Sequence, residues 1–202
     1  MVSINLKLLD SDREIQRAVN KALQEECSRK LRRAAVQIKG SIKPIIESAL
    51  ASSPEIQSLS GGVLQAEFGL ESNPANQIIS AVSSSIDVRV DKVTSNLNGG
   101  ITLTIQPSDF SNLLSLPAAS QPIDGGSIPW LEWLLTAGDS IIIANFGVEF
   151  GDHGRTGKAR MSKKFSPYKV NSAFSGTADN NFITRAIGRN MSKIQDVIRR
   201  AL

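Results

Sequence analysis

The longest hydrophobic pattern in the chain predicts an amphipathic helix over about residues 12–50. Apolar residues recur there at three- and four-residue spacing, which is the period of one helical face. The tetrapeptide SDRE at residues 11–14 has the S-x-x-E form of a capping box. Pro44 removes one backbone hydrogen bond and is expected to kink or end the helix. At 1.5 Å per residue the helix spans up to about 58 Å, so part of its apolar stripe is expected to need cover from outside its own domain.

Shorter patterns predict further helices and strands along the chain. The tripeptide SPE at residues 53–55 and the dipeptide NP at residues 73–74 are start signals for two short helices. Apolar alternation on both sides of a glycine turn predicts a β-hairpin over about residues 85–106. An apolar run over residues 139–146 predicts another strand. A stripe of apolar residues at helical spacing predicts a terminal helix over residues 180–202.

These elements predict a single α+β domain over the whole chain, with the long N-terminal helix and the C-terminal helix packed on a small antiparallel β-sheet. Residues 107–129 are rich in Pro, Ser and Gly, and they are predicted to form a long surface loop. Because passive connections are rarely that long, this loop is expected to be an interaction element.

Charge is unevenly distributed along the chain, whose net charge is +4. Residues 1–150 hold 12 Lys and Arg against 16 Asp and Glu, whereas residues 151–202 hold 11 against 3. The last quarter is therefore basic and is expected to have an acidic partner. No apolar run approaches the roughly 18 residues of a membrane span, and the N-terminal residues lack a signal-peptide pattern. We therefore expect a soluble cytoplasmic product with no membrane partner.

The stretch FGDHGRTGKARM, residues 150–161, contains a Gly-Lys pair but is not predicted to bind nucleotide. A P-loop needs G-x-x-x-x-G-K-[ST]; here Asp152 replaces the first glycine and Ala159 replaces the hydroxyl residue. His153 is the only histidine and Cys27 the only cysteine, so no multi-histidine or multi-cysteine metal site can form. We therefore predict no catalytic residue, no cofactor and no metal, and a protein that is not an enzyme.

The same stretch opens a basic loop, residues 151–164, in which glycines alternate with positive charge. Such a loop is expected to be flexible and to contact either DNA phosphates or an acidic face of a neighbouring protein. A solvated loop without a partner remains the alternative. The five cations of the loop are Arg155, Lys158, Arg160, Lys163 and Lys164.

The C-terminal third carries two short motifs that precede a last amphipathic helix. The first motif closes an apolar strand with Glu149, Phe150 and Gly151, and the second runs from residue 174 to residue 187 as FSGTADNNFITRAI. Together they resemble the neck, or tail-completion, proteins of tailed bacteriophages. Ser175 stands where that family usually has proline. The signature positions carried by the resemblance are Glu149, Phe150, Gly151, Gly176, Thr177, Phe182, Arg185 and Ala186.

The resemblance implies a non-enzymatic virion protein at the head–tail junction. Such proteins form a ring, usually hexameric, that joins the connector or portal on the head side to the tail and surrounds the DNA channel. The implied partners are other copies of the chain, the portal-side and tail-side virion proteins, and channel DNA contacted without base specificity. Two alternatives stay open at this stage: a tail terminator that caps the tail tube or sheath, and a free sequence-independent DNA-binding protein.

Overall fold

The structure, a computed structural model, describes residues 11–123, 126–163 and 167–202. It confirms the α+β class. The helices are α1 Asp12–Ala51, α2 Pro54–Leu59, α3 Val63–Glu67, α4 Ala75–Ser85, α5 Ser111–Leu114, α6 Trp130–Thr136, α7 Phe182–Arg189 and α8 Met191–Ala201. The strands are β1 Asp87–Val90, β2 Ile101–Thr104, β3 Gln121–Ile123, β4 Gly126–Ile128, β5 Phe146–Phe150 and β6 Ala159–Lys163.

Helix α1 begins at the predicted capping box and continues further than Pro44 suggested. The Ser11 N–H donates to Glu14 Oε2 at 2.8 Å, and the Glu14 N–H donates back to Ser11 Oγ. The predicted extent of about residues 12–50 is confirmed: Pro44 does not end the helix, because α1 runs on to Ala51. The carbonyl that loses its partner belongs to Gly40, an exposed residue with open space around it, so water can take that hydrogen bond.

The hydrophobic core lies against the second half of α1. Its buried residues there follow the i, i+4 row Ala34, Ile38, Ile42, Ile46 and Leu50. Helices α2, α4, α7 and α8 all pack on α1. The first half of the same helix contributes nothing to this core.

The β structure consists of separate two-stranded antiparallel ribbons in the described ranges, instead of one small sheet. The predicted hairpin over about residues 85–106 is present as β1 and β2, with Val88 opposite Leu103. Strand β3 pairs with β4, and β5 pairs with β6. The ribbon β1–β2 packs on α1, and the ribbon β5–β6 packs on α3.

Residues 107–129 are not the surface loop that their composition predicted. They contain helix α5, a 3₁₀ turn at Pro117–Ala119, and the strands β3 and β4. Phe110 and Leu113 are buried in the core, and the Trp130 indole N–H donates to the Ala118 carbonyl at 2.9 Å. Three residues of the segment are buried, and ten of its described residues are exposed. A role in interaction stays a prediction.

The predicted strand over residues 139–146 was also wrong. Before Phe146, only Ile143 makes a bridge in that run, and its partner is Tyr168. Asn145 has a positive φ of 62°, a left-handed conformation that breaks an extended strand. The regular strand starts one residue later, at Phe146.

The predicted terminal helix is two helices, α7 and α8, which meet at Asn190. The backbone of Asn190 departs from helical geometry, with φ −105° and ψ 9°. The break lets both helices bury an apolar side against α1: Phe182, Ile183 and Ala186 from α7, and Ile194 from α8.

Candidate functional site

The first part of the basic loop forms a hairpin turn between β5 and β6; its expected flexibility stays a prediction. The Gly151 N–H donates to the Lys158 carbonyl at 2.9 Å and closes the turn. Gly154 has φ +70°, and a Cβ there would lie 2.2 Å from the Ala159 carbonyl oxygen. The glycines of the turn therefore supply backbone conformations and a close approach that other residues would not tolerate. The strand β6 takes up the second half of the predicted loop.

Two cations of the turn hold it onto helix α3 and the residues that follow α3. Arg155 forms an ion pair with Glu71 and donates from Nη2 to the Gly69 carbonyl at 2.8 Å. Lys158 Nζ donates to Gln65 Oε1 at 2.6 Å. These contacts join residues that are more than 80 positions apart in the sequence. They fasten the hairpin to the body of the domain.

The remaining cations of the predicted loop lie on or beyond β6. Arg160 Nε lies 3.0 Å from Glu149 Oε2, and the two residues are directly opposite each other in the ribbon. Lys163 is exposed and lies opposite Phe146. Lys164 lies outside the described residues. A contact of these five residues with DNA or a neighbouring protein stays a prediction.

The Gly157-Lys158 pair lies in this β-hairpin turn, whereas a phosphate-binding P-loop leads from a strand into a helix. His153 is exposed, and its imidazole lies against the backbone of Gly151. Within the described ranges, His, Cys, Asp and Glu side chains form no group of three that could hold a metal ion.

The second signature motif builds the start of α7 against the end of α6. The Gly138 N–H donates to the Gly176 carbonyl at 2.9 Å. A Cβ on Gly176 would lie 2.6 Å from the Cβ of Asn181, so only glycine fits. Thr177 and Asn180 exchange backbone hydrogen bonds of 3.0 and 3.1 Å. Gly176 and Thr177 therefore shape a tight turn that leads into the helix.

Asn181, which was not among the predicted site residues, is the central polar residue of this turn. It is fully buried and caps α7, accepting from the N–H groups of Ile183 and Thr184 at 3.1 and 3.2 Å. Its amide donates to the carbonyls of Thr177 and Ala178 at 3.0 and 3.3 Å. All of its hydrogen-bonding capacity is used, so this residue stabilises the turn and the helix start together.

Arg185, a predicted signature residue, forms an ion pair with the buried Glu55. Arg185 Nη2 lies 2.6 Å from Glu55 Oε1, and the side chains are 27% and 5% exposed. The pair joins α7 to the first turn of α2, 130 positions earlier in the sequence. Phe182 and Ala186 are buried beside it. These signature positions therefore serve the fold.

Part of the basic last quarter of the chain pairs with acidic residues inside the molecule. Residues 47–149 hold 11 Asp and Glu against 2 Lys and Arg. Beyond the pairs already described, Lys169 lies 3.7 Å from Asp139. Four cations of the C-terminal quarter thus pair with carboxylates of the preceding segment: Arg155, Arg160, Lys169 and Arg185.

A buried tyrosine–carboxyl contact lies next to the hairpin and was not anticipated. The Tyr168 hydroxyl donates to Glu67 Oε1 at 3.1 Å. Burial raises the pKa of the Glu67 carboxyl, and burial together with the Glu67 charge raises the pKa of the Tyr168 phenol far above its ordinary value. The two residues are 101 positions apart, so no sequence spacing indicates the contact.

Two surfaces leave large apolar side chains exposed. The first is a row on α1 formed by Ile15, Val19 and Leu23, called here the apolar row. The second is one face of the β5–β6 ribbon, where Phe146, Phe150 and Met161 are exposed; this is called the ribbon face. Exposed apolar clusters of this kind are typical of protein–protein contact sites.

Comparisons with known proteins supply no relative for this arrangement. No protein-family profile, curated protein or solved structure matches the chain significantly. Among the helices that the structure describes, none has the length and hydrophobicity needed to cross a membrane.

Proposed function

We propose that this chain is a non-enzymatic structural protein of the neck of a tailed bacteriophage. In this proposal six copies form a ring at the head–tail junction of the virion, around the channel through which DNA leaves the head. The ring contacts portal-side proteins above and tail-side proteins below, and it uses no cofactor. The residue pattern shared with phage neck proteins and the surfaces described above both support this assignment.

The observation that carries the proposal is the uncovered first half of α1. Residues 12–33 include no buried residue, although the apolar row runs along them. They extend about 33 Å at 1.5 Å per residue. Gln24 does reach the β1–β2 turn, where it donates to the Val93 carbonyl at 2.5 Å. The apolar row has no such cover within the described residues, so a neighbouring molecule is its natural partner.

The ribbon face offers a second and chemically different apolar surface. It belongs to a ribbon that packs on α3, whereas the apolar row belongs to α1. Contact between two different surfaces of identical subunits is a head-to-tail interface, and such interfaces close into rings when the rotation permits. A ring built by seating the apolar row of one copy on the ribbon face of the next therefore fits both surfaces.

The first test separates the ring from a simple monomer. Val19→Gln and Leu23→Gln together should abolish assembly without lowering thermal stability, because both side chains are exposed in the monomer. The matched control is Arg17→Gln with Lys21→Gln, two exposed positions on another side of the same helix. Assembly is measured by native mass spectrometry and sedimentation, with purified portal-side protein added as a template. Equal assembly by both double variants would contradict a role for the apolar row.

The second test addresses the place of the protein in the virion. A nonsense allele in the encoding phage should give filled heads and free tails of normal length, and adding the purified protein should join them. Free tails of abnormal length would instead favour a tail terminator, because a missing cap leaves tail growth uncontrolled. Normal, fully joined particles without the protein would refute both roles.

A further inference from the structure

The largest unbalanced charge in the described structure lies in the middle of α1, not in the basic hairpin. Residues 27–46 hold six Lys and Arg and no acidic residue. All six are exposed. At 100° per residue, Lys30 lies on the opposite side of the helix from Lys39. The other five share one side and are called here the basic helix face: Arg29, Arg32, Arg33, Lys39 and Lys43.

Most of these cations have no carboxylate partner among the residues that the structure describes. Arg29 pairs with Glu26, and Lys43 lies 4.0 Å from Glu47. Arg32, Arg33 and Lys39 have no ion pair within the described ranges. The contrast with the C-terminal quarter is clear, because four of its cations pair with acids of residues 47–149. The positive charge that remains for an outside partner is therefore concentrated on α1.

The basic helix face is held rigidly from behind. Ala34, Ile38 and Ile42 on the opposite side of the same segment are fully or almost fully buried in the core. From Arg29 to Lys43 the helix rises about 21 Å at 1.5 Å per residue. That length is roughly two thirds of one turn of B-DNA, which is about 34 Å. A rigid row of cations of this length can follow one stretch of a duplex backbone without a conformational change.

Small residues occupy the middle of the face and leave room for a close approach. Residues 29, 33, 36, 40 and 43 share one side of the helix, since they follow alternating spacings of four and three. Val36 is 76% exposed, and a Cβ on Gly40 would meet nothing within 4 Å. Cations therefore lie at both ends of a central surface whose side chains are short. This is a shape that can receive a rounded polyanion.

We infer that the basic helix face binds the phosphate backbone of duplex DNA without base specificity. Duplex DNA carries about one negative charge per 1.7 Å of its axis, which matches a dense row of cations. The face has no aromatic residue on which unstacked bases of a single strand would stack. This inference does not depend on the neck assignment.

The test compares two variants that remove the same number of charges. The helix variant carries Arg32→Gln, Arg33→Gln and Lys39→Gln, and glutamine keeps a helix propensity close to that of the residues replaced. The matched hairpin variant carries Lys158→Gln, Arg160→Gln and Lys163→Gln. Circular dichroism and thermal unfolding confirm that each is folded. Binding to a random-sequence duplex of about 30 base pairs, three turns of DNA, is measured by fluorescence anisotropy over a series of salt concentrations.

Each lost phosphate contact reduces the slope of log affinity against log salt by about 0.9. The helix variant should therefore lose about 2.7 units of slope for its three contacts. Over a rise in salt of about fourfold, the wild-type affinity should fall roughly 40-fold further than that of the helix variant. The hairpin variant should keep the wild-type slope. A second helix variant, Arg29→Gln with Lys43→Gln, should lose slope independently.

Three results would overturn the inference. The first is a wild-type chain that fails to bind the duplex at about 50 mM salt, where electrostatic binding is strong. The second is loss of slope in the hairpin variant while the helix variants stay unchanged, which would assign DNA contact to the hairpin. The third is binding of polyglutamate that exceeds binding of DNA, which would indicate an acidic protein partner.

Discussion

Replacing Arg185 with methionine is expected to lower the free energy of unfolding by about 3 kcal/mol. The substitution leaves the carboxylate of Glu55 buried without its counter-charge. Removing one partner of a buried ion pair costs about 3–5 kcal/mol. The low end applies here because Arg185 is 27% exposed, and because the first turn of α2 gives the carboxylate some stabilisation from the helix dipole.

The double variant Glu55→Gln with Arg185→Met separates the charge effect from lost packing. It removes both charges, and the remaining loss should be only about 1 kcal/mol, since a glutamine amide is far less costly to bury than an unpaired carboxylate. The double variant should thus be more stable than the single Arg185→Met variant. The difference of about 2 kcal/mol between the single and the double variant is the cost of leaving the Glu55 carboxylate buried and unpaired.

Urea unfolding followed by circular dichroism measures these differences. With an m value of about 2 kcal/mol per molar urea, the midpoint should move down by about 1.5 M for Arg185→Met and by about 0.5 M for the double variant. Arg189→Met is the control, because Arg189 is exposed on the same helix, and its midpoint should not move. Equal stability of the single and double variants would refute the interpretation that Glu55 needs its partner.

Three further outcomes follow from local geometry. Tyr168 is the only tyrosine, and its raised pKa means that folded protein should show no phenolate absorbance at a pH near 10, where a free tyrosine titrates. The phenol proton is held more tightly in the folded state than in the unfolded state, so the free energy of unfolding should fall as pH rises above about 10. Phenolate formation without a change in circular dichroism would contradict this. Gly176→Ala should destabilise the chain by about 2 kcal/mol or more in thermal unfolding, because the new Cβ meets Asn181 at 2.6 Å. Gly40→Ala, at an open position within helix α1, should instead stabilise the chain by about 1 kcal/mol. Asn181→Ala should cost about 2 kcal/mol in the same assay, and a wild-type melting temperature would show that its cap is dispensable.

Local signals in the sequence predicted the elements that depend on near neighbours. The capping box at Ser11 marked the start of α1, and the alternation around the glycine turn located β1 and β2. The apolar run at residues 139–146 misled the prediction. The outcome there depended on one backbone detail, the left-handed conformation of Asn145.

The candidate site was harder to predict because its contacts are distant in the chain. The cations of the hairpin were identified from composition, yet their partners Gln65, Gly69 and Glu71 lie more than 80 positions away. No periodicity or spacing encodes a pairing of that kind. Glycine content alone also does not specify a turn, whereas in the fold Gly154 adopts a positive φ within one.

The intramolecular ion pairs change what the charge distribution means for function. From the sequence, the basic last quarter suggested an outside acidic partner. In the fold, Arg155, Arg160 and Arg185 lie against carboxylates of the same chain. A negatively charged outside partner is therefore expected at residues 27–46. Outside partners with apolar surfaces are expected at the apolar row and the ribbon face.

Electron cryo-microscopy of the encoding phage particle tests the proposed neck role most directly. A reconstruction of the head–tail junction should contain a ring of six copies of this chain around the DNA channel, with the apolar row of each copy covered by its neighbour. A junction in which every ring is accounted for by other proteins, together with the absence of this chain from purified particles by mass spectrometry, would contradict the proposal.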